Sequence, residues 1–297
     1  MMWTRISRGI AAAALVLSSC AQPQGSPETT VTIGTFNIEW LGDGDQDRKQ
    51  RADQDYLRLA DIVIKSGADV LSIQEVENQD ALNKVLRYLD GYQGFLSDGG
   101  NHQRVGVIYK ADVQVTSLGD YNALQLDQPM RLRPGLAIVC SKGAFDWVQM
   151  IVHLKSTSRY DSTAALLDQA RNIRREQAKV LRRWADSVLD AGEELDVVIT
   201  GDLNDHPTKT RHETLGALSE SDRLVFLTKD LTSCKNRKWS VIDHVVVSTQ
   251  AAQRLIPGSA RTENQYDYLS EAEADLVSDH CPVVVRFSSL GVDTDGR

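Results

Sequence analysis

Six short segments of the chain end hydrophobic runs in carboxylate, amide or imidazole side chains, the groups that metal-assisted phosphoryl transfer uses. They read TFNIEW (35–40), IQEVEN (73–78), VHLKS (152–156), GDLND (201–205), IDH (242–244) and SDHCP (278–282). Five of the six follow a run rich in Val, Ile, Leu or Thr, which predicts that their polar residues lie where strands end. In α/β proteins that edge of the sheet is where sites are built.

Hydrolysis of a phosphate ester needs a divalent cation to neutralise the non-bridging oxygens, a water held in line, and help for the departing oxygen. Glu75, Asn37 and Asp279 carry the oxygen ligands that hard cations such as Mg²⁺ prefer. His153 and His280 can donate hydrogen bonds to phosphate oxygens. These residue types predict a metal-assisted phosphoesterase site.

Each of these side chains also has a structural interpretation. An Asn or Asp at a strand end is commonly a turn or cap residue, and His153 alone would be interpreted as a hydrogen-bonded core histidine. That interpretation has to hold independently for all six segments, whereas one site explains them together. We therefore favour the catalytic interpretation.

In this order, the segments resemble the motifs of the endonuclease/exonuclease/phosphatase superfamily. Its members include deoxyribonuclease I, the exonuclease III type abasic-site endonucleases, sphingomyelinases and inositol polyphosphate 5-phosphatases. The resemblance runs from about Val31 to Phe287, and GDLND and SDHCP are its most specific segments. It implies an α/β fold of four layers, in which two packed mixed β-sheets are flanked by helices as in deoxyribonuclease I.

Carried over residue by residue, the resemblance implies a metal side of the site. Glu75 would be the principal metal ligand, and Asn37 would lie beside the metal and the attacking water. Asp279 would be a further carboxylate there, and Glu39 matches a position that assists a second metal in some members. The implied cofactor is Mg²⁺, with Mn²⁺ or Ca²⁺ as alternatives.

The resemblance also implies a side of the site that handles water and phosphate. Asp202 would orient or deprotonate the attacking water, while Asn204 and His153 would hold the scissile phosphate. Asp243 would pair with His280, and His280 would contact the phosphate.

Other polar residues near these motifs have less defined roles. Arg133 precedes a predicted strand at Leu136–Cys140 and is similar to a family Arg that contacts a substrate phosphate. His244 stands where relatives often carry Arg or Tyr, so its role is open. The other histidines are predicted to be solvated, and they are His102, His206 and His212.

The N-terminus predicts export. Arg5 and Arg8 precede an apolar stretch from Ile10 to Leu17, which is too short to span a bilayer and is typical of a secretory signal. Residues 1–19 are therefore predicted to be a signal peptide that is removed.

Leu17-Ser18-Ser19-Cys20 resembles the bacterial lipobox, in which the Cys is lipidated and becomes the first mature residue. An ordinary signal peptide cut nearby is the alternative. Residues 20–30 would then be the lipidated Cys20 and a flexible tether. We expect an extracytoplasmic lipoprotein anchored in the membrane and facing the periplasm or the cell surface.

The charge balance argues against tight, nonspecific binding to duplex nucleic acid. The whole chain carries a formal charge of −8. Removing Arg5 and Arg8 from its 33 basic residues leaves 31 against 41 acidic residues, a formal charge of −10. Such a chain has no overall attraction for polyanions, although a local basic groove is compatible with it.

Cysteine arithmetic leaves the pairing open. With Cys20 assigned to the anchor, Cys140, Cys234 and Cys281 remain, and an odd number leaves at least one thiol free. One disulfide is compatible with this count, but a disulfide framework is not. Cys281 is predicted to be a small buried side chain rather than a nucleophile, because no motif here activates a thiol.

Residues 31–288 are predicted to form one catalytic domain, followed by a polar tail at 289–297. A helix is predicted from an apolar stripe at Tyr56, Leu59, Ala60, Val63 and Ile64, and a strand follows at Val70–Ile73. A longer helix is predicted from the stripe Leu166, Ala170, Ile173, Gln177, Leu181 and Trp184. Its basic residues are expected on solvated faces, and they are Arg171, Arg174, Arg175, Lys179, Arg182 and Arg183.

Further strands are predicted at 104–109, 113–118, 135–140, 147–153, 195–200, 241–247 and 283–287. So many strands with few helices cannot form a simple doubly wound sheet. Two packed sheets accommodate them, with the site at one rim where the strand ends of both sheets meet.

Two classes of function stay open. The first is an extracytoplasmic Mg²⁺-dependent phosphoesterase that cleaves phosphodiesters, with nucleic acid as the favoured substrate and a phospholipid or inositol phosphate as the alternative. The second is a catalytically silent binding lipoprotein on the same fold. The first is favoured because every expected catalytic position holds a competent residue. The charged segment Asp43–Arg51 is either a substrate-facing loop or a surface turn.

Overall fold

A computed structural model describes residues 29–157, 161–293 and 295. These residues form two mixed six-stranded sheets that pack face to face, with helices on both outer surfaces. The predicted four-layer α/β sandwich is confirmed.

The strands are β1 (Thr30–Leu41), β2 (Val70–Val76), β3 (Tyr92–Leu96), β4 (Arg104–Lys110), β5 (Gln114–Tyr121), β6 (Gly135–Lys142), β7 (Phe145–His153), β8 (Val197–Asp202), β9 (Leu224–Phe226), β10 (Asp243–Ser248), β11 (Arg261–Thr262) and β12 (Val283–Ser288). The α-helices are α1 (Asp53–Ser66), α2 (Gln79–Leu86), α3 (Ala164–Ala191), α4 (Gly216–Ser219) and α5 (Glu271–Val277). Sheet 1 has the order β11-β12-β1-β2-β4-β3, and sheet 2 has the order β5-β6-β7-β8-β10-β9.

The pairing directions bring the polar strand ends to one rim. Strands β1 and β2 are parallel at the centre of sheet 1, and β7 and β8 are parallel at the centre of sheet 2. Strand β10 runs antiparallel to β8 and begins at the rim where β8 ends. In this register Asp202 has His153 as its partner on one side and Asp243 on the other.

Three apolar clusters correspond to the three interfaces between the four layers. One cluster lies between sheet 1 and the helices α1 and α2, with Leu59 and Ile73 among its members. A second lies between sheet 2 and α3 and contains Leu181 and Trp184. The third lies between the sheets and contains Trp147 and Phe287, both fully buried. The central strands are therefore covered on two faces, which explains why β2, β8 and β10 are almost entirely buried.

The space between the sheets also holds a polar network. The Ser72 and Thr200 hydroxyls lie 2.6 Å apart, and the Gln149 Nε2 group donates to both at 2.9 and 2.8 Å. The Trp147 indole N–H donates to Gln149 Oε1 at 2.8 Å. Leaving such a buried group without a partner would cost about 1–3 kcal/mol, so the network favours one alignment of the sheets over others.

The two predicted helices are present as α1 and α3, but Ile64, predicted on the buried face of α1, is 51% exposed, and Ile62 is buried instead. Helix α1 ends at Gly67, whose φ of +67° is the left-handed conformation that glycine adopts at helix C-termini. Helix α3 begins after Thr163, whose side chain accepts a hydrogen bond from Leu166 N. Leu166 itself is 39% exposed, so it does not belong to the buried stripe.

The prediction of a solvated basic face on α3 is wrong for Arg174, which is 2% exposed. Its Nε donates to the Lys155 carbonyl at 2.8 Å, and its Nη1 lies 3.4 Å from Asp205 Oδ2. Burial lowers the pKa of Arg174, and the Asp205 carboxylate opposes that shift. Arg174 thus ties α3 to the segments that follow β7 and β8.

The predicted strands are present, with ends that differ by up to three residues. The short elements β3, β9, β11, α2, α4 and α5 are additional to the sequence prediction. They have two to eight residues each, which is too short for a clear periodic pattern.

The cysteine pairing is resolved by geometry. Cys234 and Cys281 form a disulfide with an Sγ–Sγ distance of 2.08 Å, and Cys140 is a buried free thiol. Cys281 is 3% exposed, as predicted, and its place in the disulfide excludes a nucleophilic role. The disulfide attaches the segment before β10 to the residue that follows His280.

The predicted signal peptide and lipidation site at Cys20 lie outside the described residues. Within the described residues, none of the helices is both long and apolar enough to cross a bilayer. The segment after β12 is held to the fold, because Ser289 N donates to Thr29 O and Asp293 pairs with Arg254.

Candidate active site

Four residues at the rim have left-handed backbone conformations although none is glycine. Their φ angles are +49° for Glu39, +56° for Trp40, +64° for Glu75 and +54° for Asn204. Such conformations cost of order 1 kcal/mol or more for residues with a side chain and concentrate at functional sites. In β1 and β2 they coincide with a break in the strand register, which turns the side chains of Glu39 and Glu75 toward the rim.

Arg51 stabilises this irregular end of β1. Its guanidinium donates four hydrogen bonds of 2.6–2.8 Å to the carbonyl oxygens of Ile38, Glu39, Trp40 and Val277. Arg51 is therefore a structural brace of the rim. Within the same segment, Asp45–Arg48 line a cavity of about 490 Å³ together with Trp40, Glu77 and His102.

Asn37, Glu75, Asp202 and His153 meet where β1, β2, β7 and β8 end. The Asn37 amide nitrogen donates to Asp202 Oδ2 at 3.1 Å and lies 3.4 Å from Glu75 Oε1. His153 Nε2 lies 3.5 Å from Asp202 Oδ2 and 3.9 Å from Glu75 Oε1. Two carboxylates from different sheets thus share an amide and an imidazole.

Asp243 and His280 lie beside this group. His280 Nδ1 is 2.7 Å from Asp243 Oδ2, the short distance of a charge-assisted hydrogen bond. One ligand atom each from Asp202, Asp243 and His280 lie within 4.8 Å of one another. The predicted pair is present, and it adjoins the carboxylate predicted to activate water.

The electrostatics of the site follow from burial and proximity. Burial raises the pKa of Asp202 to about 7, and the neighbouring Asp243 carboxylate adds to the shift. Burial lowers the pKa of His153 well below its ordinary value, with help from the charge of Arg133, so this imidazole is neutral. Burial also disfavours charge on His280, but Asp243 outweighs it and raises the His280 pKa well above its ordinary value.

Asn204 and Gly201 fix the position of Asp202. The Asn204 backbone N–H donates to Asp202 Oδ1 at 2.8 Å, and its side-chain Nδ2 donates to the Leu154 carbonyl at 3.2 Å. Gly201 has φ +149°, and a Cβ there would lie 1.9 Å from the Val152 carbonyl oxygen. Glycine is therefore required for β7 and β8 to approach this closely.

Ser278 is a positioning residue that sequence reasoning missed. Its buried hydroxyl donates to the Asn37 carbonyl at 2.7 Å and accepts the His280 N–H at 3.0 Å. It therefore links the end of β1 to the turn that carries His280. The sequence pattern that could have identified Ser278 is a Ser two residues before a functional His, which is typical of turns stabilised by a hydroxyl group.

Asp279 and Glu39 form a more exposed part of the site. Asp279 N donates to Glu39 Oε2 at 2.9 Å, and the same oxygen accepts from Lys49 Nζ at 2.6 Å. The Asp279 side chain is 48% exposed, with one oxygen 3.8 Å from His280 Nε2. Asp279 therefore lies beside the His280 ring, and Glu39 lies beside Asp279.

Arg133 and His244 differ in their relation to the rim. Arg133 donates to Gln103 Oε1 at 2.6 Å, and the negative charges of Glu75 and Asp202 partly oppose the lowering of its pKa by burial. His244 is fully buried, with Nδ1 3.0 Å from Thr228 Oγ1 and Nε2 3.1 Å from the Asp205 carbonyl. Burial lowers the His244 pKa to about 3, so this histidine is a neutral core residue.

The three histidines predicted to be solvated are largely so. The His102 side chain is 78% exposed beside Glu77, and His212 is exposed. His206 is half-buried, with Nε2 2.8 Å from the Lys229 carbonyl.

A cavity of about 350 Å³ adjoins His280 and is lined in part by Lys235, Trp239, Asp243 and Asp279. Trp239 is 60% exposed although it is a large aromatic residue. Sequence reasoning missed it because it lies in a polar loop without a periodic pattern. The cavity places an aromatic surface and a lysine next to the candidate phosphate site.

The donor set fits a hard cation. Glu75 Oε2 is buried and receives no hydrogen bond within the described part of the chain. Glu75, Asp202 and Asp243 bring negative charge to this rim, and the Asp243 carboxylate adds to the rise in the Asp202 pKa that burial causes. The free lone pairs of these carboxylate oxygens could coordinate a divalent cation, and its charge would reduce the repulsion between the carboxylates.

The chain belongs to the endonuclease/exonuclease/phosphatase family, because a sequence profile described as "Endonuclease/Exonuclease/phosphatase family" matches residues 34–280. Members of this family are phosphoester hydrolases that use divalent metals. No curated protein sequence gives a significant match.

Solved structures share the fold at low sequence identity. Truncated TDP2 from Caenorhabditis elegans is 17% identical with a TM-score of 0.62, and the match covers 88% of this chain and 98% of that one. TDP2 from D. rerio, complexed with a single-strand DNA product, is 15% identical with a TM-score of 0.59, covering 88% and 100%. A mannosyl-6-phosphatase from Bacteroides thetaiotaomicron is 18% identical with a TM-score of 0.57, covering 86% and 98%.

A double-mutant cycle tests whether Asp243 and His280 act as one unit. If Asp243 holds His280 as a charged donor, Asp243→Asn and His280→Ala should each lower phosphoesterase kcat by roughly 10²–10⁴-fold, and the double variant should lose little more. The matched control is His212→Asn, an exposed histidine with φ +58°, a conformation that Asn tolerates. Fully additive losses would show that the two residues act separately.

Proposed function

We propose that this protein is an extracytoplasmic phosphoesterase that uses a divalent metal, preferably Mg²⁺, to hydrolyse phosphodiesters by in-line attack of water. The observation that carries the proposal is the convergence of Glu75, Asp202 and the Asp243–His280 pair at one rim. A carboxylate with a free buried oxygen, a carboxylate with a pKa near 7 and a charged imidazole donor are complementary parts of one reaction.

Glu75 would hold the cation through its free Oε2, with Asn37 and Asp279 as further oxygen donors. Glu39 is the candidate for a second cation, since it lies beside Asp279. A bound cation would take the place of Lys49 as the partner of this carboxylate. When bound, the cation supplies positive charge that neutralises the non-bridging oxygens and polarises the phosphorus–oxygen bond.

Asp202 orients the attacking water and accepts its proton. The Asn204 N–H and the Asn37 amide each hold one Asp202 oxygen, so the carboxylate is fixed before substrate arrives. A pKa of about 7 suits a general base at neutral pH, because its charged form is populated and still basic. As the water oxygen bonds to phosphorus, its proton passes to Asp202 and the ester oxygen departs.

His280 donates a hydrogen bond to the phosphate from Nε2, because its Nδ1 is held by Asp243. Arg133 is the second cationic group on the phosphate side. The charges of Glu75 and Asp202 act on its pKa, which supports a position of the guanidinium close to both carboxylates. His153 and Asn204 complete the phosphate site in the proposal. The neutral His153 ring also faces Asp202, so it restrains the base as well.

Nucleic acid is the proposed substrate. Trp239 and Lys235 beside His280, and Trp40 with Arg48 4.2 Å over its ring, offer stacking and cationic surfaces at the rim. Aromatic rings next to cations are the means by which single strands are bound without regard to sequence. One fold relative is described as complexed with a single-strand DNA product, which is consistent with this choice.

A phosphomonoester or a phospholipid headgroup is the alternative substrate. One fold relative is described as a mannosyl-6-phosphatase, a name that denotes action on a sugar phosphate. The acidic balance of the chain also weighs against a polyanion as large as duplex DNA.

The metal requirement is tested by chelation and by two variants at the rim. Exhaustive chelation should abolish hydrolysis of a generic phosphodiester, and Mg²⁺ or Mn²⁺ should restore it. Glu75→Gln should raise the metal concentration needed for half-maximal rate, whereas Asp202→Asn should lower kcat by roughly 10²–10⁴-fold with that concentration unchanged. The matched control is Glu176→Gln, whose carboxylate is 54% exposed on α3.

Activity that survives exhaustive chelation would contradict this mechanism. Absence of hydrolysis with every metal and substrate would favour the silent binding lipoprotein.

The substrate is tested with purified soluble protein and Mg²⁺ on plasmid DNA, RNA, sphingomyelin, inositol phosphates and a hexose 6-phosphate side by side. We expect turnover of nucleic acid, and Asp202→Asn serves as the control for contaminating nuclease. Intact nucleic acid together with turnover of a lipid, inositol or sugar phosphate would reject the nuclease proposal. The phosphoesterase proposal would then stand.

The compartment is tested through the proposed lipid anchor. Lipidation of Cys20 should place the protein in the membrane fraction, and Cys20→Ala should release or misprocess it. The controls are Cys140→Ala and the unmodified chain. Equal membrane retention of Cys20→Ala and the unmodified chain would reject the lipobox interpretation.

A further inference from the structure

Five carboxylates form a second acidic cluster, far from the rim. The cluster consists of Asp146, Glu194, Asp196, Asp293 and Asp295. One oxygen each from Asp146, Asp293 and Asp295 lie within 4.8 Å of one another, and so do one each from Glu194, Asp196 and Asp295. Asp295 belongs to both groups and therefore joins them.

The cluster lies at the opposite end of sheet 2 from the catalytic residues. Asp146 is near the start of β7, which ends at His153, and Asp196 precedes β8, which ends at Asp202. These strands are parallel and advance about 3.3 Å per residue, so roughly 20 Å separate the two ends. Substitutions in the cluster therefore leave the candidate active site untouched.

The negative charge of the cluster is only partly balanced. In the described part of the chain, its ion pairs all go to Arg254, at 3.1 Å from Asp196 Oδ2 and 3.0 Å from Asp293 Oδ2. Among the described residues, one guanidinium thus pairs with two of the five carboxylates. Like charges this close destabilise each other unless they are protonated or share a cation.

Asp196 provides independent support for a bound cation, because one of its carboxylate oxygens lacks a hydrogen-bond partner among the described residues. Its side chain is 1% exposed, and its Oδ1 is buried and receives no hydrogen bond from the described residues. Glu194 is 2% exposed, and its Oε1 accepts the Asp196 N–H at 2.8 Å. Burial, together with the neighbouring carboxylates, raises the pKa of Glu194 to about 8 and that of Asp196 to about 7.

We propose that this cluster is a calcium site that fastens the segment after β12 to the starts of β7 and β8. The donors are all carboxylate oxygens from three separate parts of the chain, which suits a hard cation. Ca²⁺ accepts six to eight oxygens in irregular arrangements, whereas Mg²⁺ requires an octahedron and retains several waters. Two carboxylate triplets that share Asp295, with one buried oxygen that lacks a partner among the described residues, therefore match Ca²⁺ better.

The site has a structural role. Asp295 Oδ2 accepts the Leu195 N–H at 2.5 Å, so the chain end already lies against the loop that leads into β8. A cation shared by Asp293, Asp295 and the buried carboxylates of Glu194 and Asp196 would hold the segment after β12 against that loop. It would stabilise the folded state by mass action, because the unfolded chain does not assemble these ligands.

The test measures thermal unfolding and calorimetric binding of CaCl₂ by the purified protein carrying Glu75→Gln, which weakens metal binding at the catalytic rim. Added to this parent, Asp146→Asn with Asp295→Asn removes two cluster ligands. The matched control adds Asp222→Asn, whose side chain is 93% exposed and does not belong to the cluster. A calcium-free scan of each variant shows whether it folds, and we expect the double Asn variant to melt no lower than the parent because repulsion falls.

Saturating CaCl₂ should raise the melting temperature of the parent and of the Asp222→Asn control by roughly 5 °C, with heat of binding to one site. The Asp146→Asn, Asp295→Asn variant should lose both effects. Excess MgCl₂ should give a smaller shift. An unchanged melting temperature of the parent in millimolar CaCl₂, or an equal shift in the double Asn variant, would overturn the proposal.

Discussion

Repulsion among buried carboxylates is the constraint on which the rim of this sandwich depends. Glu75, Asp202 and Asp243 come from three strands in two sheets and meet within a few ångströms. Their mutual repulsion is offset by the Asn37 amide, by His280 and by Arg133. The proposed cation would provide the rest. The site is therefore assembled at a cost in stability that other parts of the fold must cover.

Contacts of Arg51, of Ser278 and between the two sheets stabilise the rim. Arg51 holds the left-handed end of β1 through three carbonyls of that strand and joins it to the end of α5 through the Val277 carbonyl. Ser278 attaches the turn of His280 to the same strand. Between the sheets, the network of Ser72, Gln149 and Thr200 fixes the alignment of the two halves. Since Glu75 and Asp202 lie on opposite sheets, a sliding of one sheet over the other would separate them. Catalytic geometry and core packing are thus linked.

Sequence reasoning located the rim because six polar segments follow apolar runs, and strand ends of parallel neighbours must share an edge. The Asp243–His280 contact followed from residue types in the family order. What the sequence could not supply was tertiary in origin. Arg174 has the pattern of a solvated helix face, yet Asp205 and the Lys155 carbonyl bury it. The Cys234–Cys281 pairing and the brace of Arg51 likewise depend on distances that no local pattern encodes.

The central claim is that a divalent cation binds at this rim through Glu75. Anomalous diffraction from crystals of the protein grown with Mn²⁺ tests it most directly, since it locates the ion without reference to activity or substrate. We predict an anomalous peak in direct contact with a Glu75 carboxylate oxygen and beside Asp202, and its loss in Glu75→Gln crystals grown the same way. A fully ordered rim without such a peak, or a peak that persists when Glu75 is replaced, would contradict cation binding through Glu75.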